Sequence, residues 1–442
     1  MILQQGHLAW MPLFFNRLPF FPLPRHLLFT NTLRMNIGAP VEAGQRHIIL
    51  DALRGFALLG IILANYPEFS LFSFLEEYPK SLMPSAAIDT VVQWCLYILV
   101  DGKFYTIFSL LFGIGFSIIL ENNRRRGANA SAIFYRRMFF LFLIGLAHLI
   151  LIWSGDILML YALVGMTLPL FTRLKDRAIL IWAAGFLMVP VIIDYICQFT
   201  GVYLSSKLTE WQWLLCDRFG ITQENFAYWL RDAHSYSDMG KFLLMGAVER
   251  MQEFVDGNRY FKVLGLFLIG YWIGRNRMFA RLDAYRPLLL KICRVGLLLG
   301  LPLSAIYAWS AMNGKPFGFG THSLFYFISV YLTSFGYISA FIILYLRRRD
   351  ARAWKILSLP GRMALTNYIS QSVAGVLIFY GVGLGLGADI ALVYAEIIAA
   401  TVFTFQIAFS AAWLSFFKFG PLEWVWRCLT YLRFFPLREK PA

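Results

Sequence analysis

Apolar stretches of about 15 to 25 residues recur along the chain between short arginine-rich segments. At 1.5 Å per residue each is long enough to cross a hydrocarbon core of about 30 Å. Ten can be placed, near residues 55–73, 102–120, 138–153, 157–171, 178–199, 261–274, 288–311, 324–346, 364–385 and 390–417. The pattern predicts an all-α fold, a polytopic transmembrane helical bundle of about ten spans. One sizeable segment, from about 200 to 260, falls outside the spans. Within it LLMGAVERMQEFV sets apolar residues at helical spacing with charges opposite, which predicts a helix lying at the membrane interface and capping a cavity.

Charge fixes the expected orientation. With both termini cytoplasmic, the inner segments hold 30 of the 40 Lys and Arg but 8 of the 25 Asp and Glu, the positive-inside pattern. The expected organisation is a basic tail over 1–46, a five-span half over 47–200, an outer segment over 201–260, a second five-span half over 261–433 and a cytoplasmic tail over 434–442. The first 46 residues lack the apolar core and small-residue cleavage site of a secretory signal, and Met35 offers an alternative start. The make-up agrees: 59% hydrophobic and 15% charged residues exclude a water-soluble globular chain. The net charge of +15 follows from topology and contact with the lipid bilayer, so nucleic acid is not an expected partner. Five cysteines are too few for a disulfide scaffold. Cys197 and Cys216 share the outer side and are candidates to pair, whereas Cys95, Cys293 and Cys428 lack ligand spacing, so no metal site is expected.

Polar groups inside a span are costly, and each marks a candidate site. In LDALRGFALLGIILANY, residues 50–66, Asp51 and Arg54 can pair one turn apart, and Asn65 lies eleven residues past Arg54 on the same helix face. The plainer reading is an ion pair anchoring a helix end and an asparagine bonded to a neighbouring helix. In AHLILIWSGDI, residues 147–157, His148 shares a face with Arg137, and Asp156 follows in a Ser-Gly-Asp turn able to fold back. A carboxylate beside an imidazole raises its basicity and suits it to take a proton from a hydroxyl or amine. The alternative is a buried neutral histidine with Asp156 capping the next helix. Lys103 either joins that outer cluster as an anion contact or snorkels to lipid headgroups. In GRMALTNYISQS, residues 361–372, Arg362 precedes Thr366, Asn367, Ser370 and Gln371, which either line a wet cavity or bond helix to helix. GVGLGLG, residues 381–387, lacks the setting and the lysine of a phosphate loop.

LDALRGFALLGIILANY, GKFYTIFSLLFGIGF, RRMFFLFLIGLAHLILIWSGDILMLYALVG, GRMALTNYISQS and FGPLEWVWRCLTY, in that order, resemble the bacterial YeiB family, whose C-terminal half is a domain of unknown function. The resemblance covers about 46 to 433 and implies a multi-pass protein of the bacterial cytoplasmic (inner) membrane. More distantly, the first span resembles the opening helix of transmembrane acyltransferases, including the lysosomal heparan-α-glucosaminide N-acetyltransferase family. In that family an asparagine followed by tyrosine matches Asn65 and Tyr66, while its active histidine has no counterpart between His47 and His148. The resemblance implies transfer of an acyl group from cytoplasmic acyl-CoA, a co-substrate and not a tightly bound cofactor, to an extracytoplasmic sugar, glycan or small-molecule acceptor. Arg54, Arg137 and Arg362 would hold donor phosphates, with Asp51, Lys103, Asn367 and Gln371 completing the binding groups, and His148, Asp156 and Asn65 would act on the acceptor. The competing expectation is a transporter or exporter that uses the same polar residues as a solute path.

Overall fold

The computed structural model describes residues 47–438; the basic tail expected over 1–46, with Met35, and the last four residues lie outside the described residues. All ten apolar segments fold as helix. They are α1 (Ile48–Phe69), α3 (Lys103–Arg125), α4 (Ala130–Leu151), α5 (Leu158–Gly165), α6 (Asp176–Thr200), α9 (Arg259–Arg275), α10 (Arg286–Met312), α11 (Phe319–Arg347), α13 (Ala364–Phe379) and α14 (Leu392–Phe416). Among the described residues, seven helical stretches are long and apolar enough to cross a membrane. The shorter α5, α9 and α13 pack within the bundle between them.

Five further helices complete the described architecture, apart from a few short turns: α2 (Ala86–Cys95), α7 (Ser206–Phe219), α8 (Tyr236–Asp256), α12 (Arg352–Arg362) and α15 (Pro421–Tyr431). The periodicity missed α2, which continues through a wide turn at Leu96–Val100 toward α3. The two are parted at Gly102, whose φ of +73° is open to glycine at little cost and breaks the helical run. The outer segment holds α7 as well as the expected α8. Local signals start several of these elements. Asn129 Oδ1 accepts from Ala132 N at 3.0 Å to cap α4, and Ser235 Oγ accepts from Asp238 N at 3.1 Å to cap α8. Cys197 and Cys216 are both buried and both free, so the pairing suggested by their shared side does not form.

Lipid is as apolar as leucine, so helices inside it associate through close packing and hydrogen bonds, which favours small residues at their crossings. The bundle follows this rule at two crossings next to α1. A Cβ on Gly55 would collide with the Leu357 carbonyl oxygen, and one on Gly361 with the Asp51 carbonyl oxygen, so α1 and α12 touch backbone to backbone. Gly113 of α3 and Gly270 of α9 meet in the same way against Phe267 and Leu110. The first crossing brings Arg54 and Arg362, each next to one of these glycines, to the same wall of the bundle. Leu298 of α10 and Phe405 of α14 are both exposed, as befits the lipid-facing rim.

Gly55→Val should destabilise the bundle by at least about 1–3 kcal/mol, since the α12 carbonyl cannot retreat without separating the helices. Thermal unfolding in detergent checks this; a Tm equal to that of the native protein would show that the crossing is not tight.

Candidate functional site

A cavity of about 660 Å³ opens along the inner face of α1, within the usual range for a small-molecule site. Its lining runs from His47, Asp51 and Arg54 at one end of the helix to Asn65 and Glu68 at the other, about 30 Å at 1.5 Å per residue. The middle is apolar and aromatic, with Ile61, Phe104, Phe108, Leu111 and Phe112, while both ends are ionic.

Basic side chains gather at the His47 end. Arg54 Nη1 donates to Asp51 Oδ1 at 2.6 Å. The Arg137 guanidinium lies 3.5 Å from the centroid of the Trp426 ring, a cation–π contact that leaves its in-plane N–H groups free to donate. Trp426 Nε1 in turn donates to the Arg137 carbonyl at 2.8 Å, so α15 is tied to α4 at this point. Arg362 and Arg427 line the same end, and Arg362 Nε is buried without a hydrogen-bond partner among the described residues. Glu423 of α15 faces them. It accepts from Leu365 N at 2.7 Å, Thr366 N at 3.0 Å and Thr366 Oγ1 at 2.6 Å, and so caps α13 from a distant helix. Burial pushes the Glu423 carboxyl above its ordinary range, and the bonds from Thr366 and Leu365 oppose this.

The opposite end is mixed in charge. Glu68 and Asp101 line it with Arg250, Arg259 and Lys262. Arg250, projecting from α8, donates to the Ser154 carbonyl at 3.0 Å and to Glu253 at 2.5 Å, with Glu68 at 3.8 Å. The helix expected to cap a cavity therefore does so through this arginine. Tyr307 donates to Asp101 Oδ2 at 2.6 Å. The phenol of Tyr105, on the cavity wall, is buried with no partner among the described residues.

His148 and Asp156 meet. α4 ends at Leu151, where Ile152 N and Trp153 N both bond to the His148 carbonyl, and the turn through Ser154 and Gly155 carries Asp156 back. His148 Nδ1 stands 2.8 Å from Asp156 Oδ2, and Asp156 Oδ1 accepts from Met159 N at 2.8 Å to start α5. Asp156 thus both caps a helix and orients an imidazole. With Nδ1–H donating to the carboxylate, Nε2 is a bare acceptor, and it is buried without a partner among the described residues. The pair lies one side chain behind the cavity wall: Gly155, Ile157 and Tyr368 line the cavity, and the Tyr368 ring centroid is 5.3 Å from that of His148.

Asp51, Arg54, Asn65, Arg137 and Arg362 thus converge on one cavity, and His148 with Asp156 stands directly behind it. Lys103, Asn367 and Gln371 do not line it. Lys103 is fully buried and donates to the Tyr97 carbonyl at 2.7 Å beside the Tyr307 ring, so it does not reach lipid headgroups. Asn367 donates to Ser410 Oγ at 3.0 Å and Gln371 to Gln406 Oε1 at 2.9 Å, while Gln406 donates back to Ser370. Asn367, Ser370 and Gln371 form a hydrogen-bonded seam between α13 and α14, Thr366 bonds to Glu423 of α15, and none of the four lines the cavity. Glu68, Arg250, Arg259, Lys262 and Glu423 were missed. Glu68 had a signal, since it stands one turn past Asn65 on the α1 stripe; the others reach the cavity through tertiary packing.

Residues 273–433 match the family model described as "Protein of unknown function (DUF418)". Three bacterial proteins align over nearly the whole chain. The uncharacterized protein YxaH of Bacillus subtilis (strain 168) is 28% identical over 416 residues, 91% of this chain and 98% of that protein. The uncharacterized 39.9 kDa protein in the amylase 3' region of Bacillus acidopullulyticus is 30% identical over 417 residues, 91% of this chain and 98% of that protein. The uncharacterized protein YeiB of Escherichia coli (strain K12) is 29% identical over 414 residues, 87% of this chain and 96% of that protein. No solved structure matches the chain at a significant level.

Beside the Glu68 end, on α8, burial pushes the Glu249 carboxyl from 4.5 to about 7, with the Glu253 charge adding to the shift and Arg250 opposing it. A carboxyl with a raised folded pKa contributes stability that is full below about pH 4.5 and is lost as pH rises through about 7. Thermal unfolding scanned across that window should therefore lose Tm with rising pH more steeply in the native protein than in Glu249→Gln. Parallel profiles would contradict the burial of this group.

Proposed function

The chain belongs to the YeiB family of helical membrane proteins, and from that premise we propose that it is an inner-membrane acyltransferase that passes an acyl group from cytoplasmic acyl-CoA to an extracytoplasmic hydroxyl or amine acceptor. The observation that carries the reading is His148: its Nδ1 is committed to Asp156, its Nε2 is free, and it stands behind one aromatic ring of a cavity with a basic end. The positive-inside pattern turns the His47 end toward the cytoplasm. Arg54, Arg137 and Arg362 there offer the guanidinium donors that suit the phosphates of coenzyme A. The apolar middle of the cavity accepts the pantetheine arm and acyl chain, leading the thioester toward Tyr368.

For transfer, the Tyr368 ring turns aside and His148 Nε2 takes the proton of the acceptor. The acceptor oxygen or nitrogen bonds to the thioester carbonyl carbon, the C–S bond breaks, and the proton passes from His148 to the departing thiolate. The products are an ester or amide and free coenzyme A thiol. Asp156 keeps the imidazole in the tautomer that accepts and stabilises it while charged. Asn65, on the cavity wall toward the far end, is placed to orient the acceptor.

A transporter reading has one observation in its favour, the ionic lining at both ends of a single cavity, which suits a solute path. Uptake of acetyl label from acetyl-CoA into extractable material by inverted membrane vesicles separates the two. The native protein should incorporate label, and His148→Ala at matched expression should lose on the order of 10²–10⁴-fold. Undiminished incorporation in the variant would remove His148 from the chemistry, and no native incorporation with short or long acyl donors would favour transport.

A further inference from the structure

We infer that the acceptor is an anionic polyol, a sugar or glycerol unit carrying a phosphate or carboxylate, seated at the Glu68 end by Lys262 and Arg259; this rests on the acyl-transfer reading. Arg250 is held by Glu253 and by the Ser154 carbonyl. Arg259 has only the same Glu253 oxygen, at 3.8 Å, and its side chain is 41% exposed while it lines the cavity. Lys262 Nζ lies 4.7 Å from the centroid of the Tyr326 ring. The nearby carboxylate Asp194 points its oxygens at Ser323 Oγ and, at 3.0 Å, Asn258 Nδ2, and makes no direct ion pair with Lys262. Asp101 is likewise taken up by Tyr307. Among the described residues Lys262 forms no ion pair and Arg259 only the long one to Glu253 at 3.8 Å, so both cations facing the cavity keep donors for an incoming anion.

The remaining groups at this end suit hydroxyls. Glu68 and Asn65 offer acceptors on successive turns of α1. A donor nucleotide does not need this second set of cations, because its phosphates have arginines about 30 Å away at the other end of α1. Two anion seats at opposite ends of one cavity match two anionic substrates, one entering from each side.

The test is binding of glucose 1-phosphate to the full-length protein in phosphatidylcholine nanodiscs, with glucose as the neutral control and coenzyme A titrated into the same samples. The native protein should bind glucose 1-phosphate at least tenfold more tightly than glucose, and more weakly as salt is raised. Lys262→Gln and Arg259→Gln should each weaken that binding about tenfold or more and leave coenzyme A binding unchanged, while Lys262→Arg should retain it. Arg362→Gln should do the reverse. Repeating the titration in phosphatidylglycerol nanodiscs separates the sources of the polyol: suppression assigns the seat to a lipid headgroup, and unchanged binding assigns it to a soluble or glycan-borne unit. No preference for the phosphate, or an equal loss in Arg362→Gln, overturns the inference. Failure of coenzyme A alone to bind counts against the acyl-transfer reading, independently of this seat.

Discussion

α1 carries Asp51, Arg54, Asn65 and Glu68 on one face, within an arc of about 100°. A helix so marked cannot turn that face to lipid, where each charge costs several kcal/mol at the bilayer centre. The rest of the bundle is arranged around this constraint. α3, α12, α13 and α14 pack on α1, while α10 and α14 offer leucine and phenylalanine to the hydrocarbon. The ionic stripe is given a cavity, and neighbouring helices bring it partners.

The cavity follows from unequal packing. Where α1 meets α12 the backbones touch through glycines, leaving no free space. On the stripe side the neighbours are long or aromatic, and they stand off. Arginines from α4, α12 and α15 then fill one end and the α8–α9 corner supplies the other. Several polar atoms on or just behind this wall lack a partner among the described residues, including His148 Nε2, Tyr105 Oη, Tyr368 Oη and Arg362 Nε. Such atoms each cost about 1–3 kcal/mol when buried. The same holds for Gln252 Oε1, Tyr331 Oη and the Glu396 carboxyl oxygens away from this wall, so it is the ionic lining of the cavity, not these atoms, that points to a polar ligand.

Apolar periodicity located a helix in each of the ten expected segments, but among the described residues seven helical stretches are long and apolar enough to cross a membrane, because periodicity marks apolar helices without fixing where each one stops. It missed α2, whose DTVVQWC carries an acid and an amide and reads as loop next to the first span. The α1 stripe was legible because a helix face is a local property. The His148–Asp156 contact was legible as a possibility, since eight residues with a Gly-containing turn permit it; that it forms depends on where α4 stops. The polar run at 366–371 was ambiguous for a physical reason. Asn and Gln at a span look the same in sequence whether they meet water or another helix, and only Gln406 and Ser410, some 40 residues on, decide it. Arg259, Lys262 and Glu423 came from segments with no local sign of facing a cavity, and Arg250 from a helix whose pattern pointed to a cavity but not to this side chain.

In the acyl-transfer reading this cavity is a two-ended site with its donor seat among the arginines near His47. A density map of the protein in nanodiscs with a non-hydrolysable acetyl-CoA analogue tests this most directly. The account predicts phosphate density within hydrogen-bond reach of Arg54, Arg137 and Arg362, with the acyl end running past Phe108 and Phe112 toward Tyr368. Phosphates seated instead at Arg259 and Lys262, or a ligand bound outside the cavity, would contradict it.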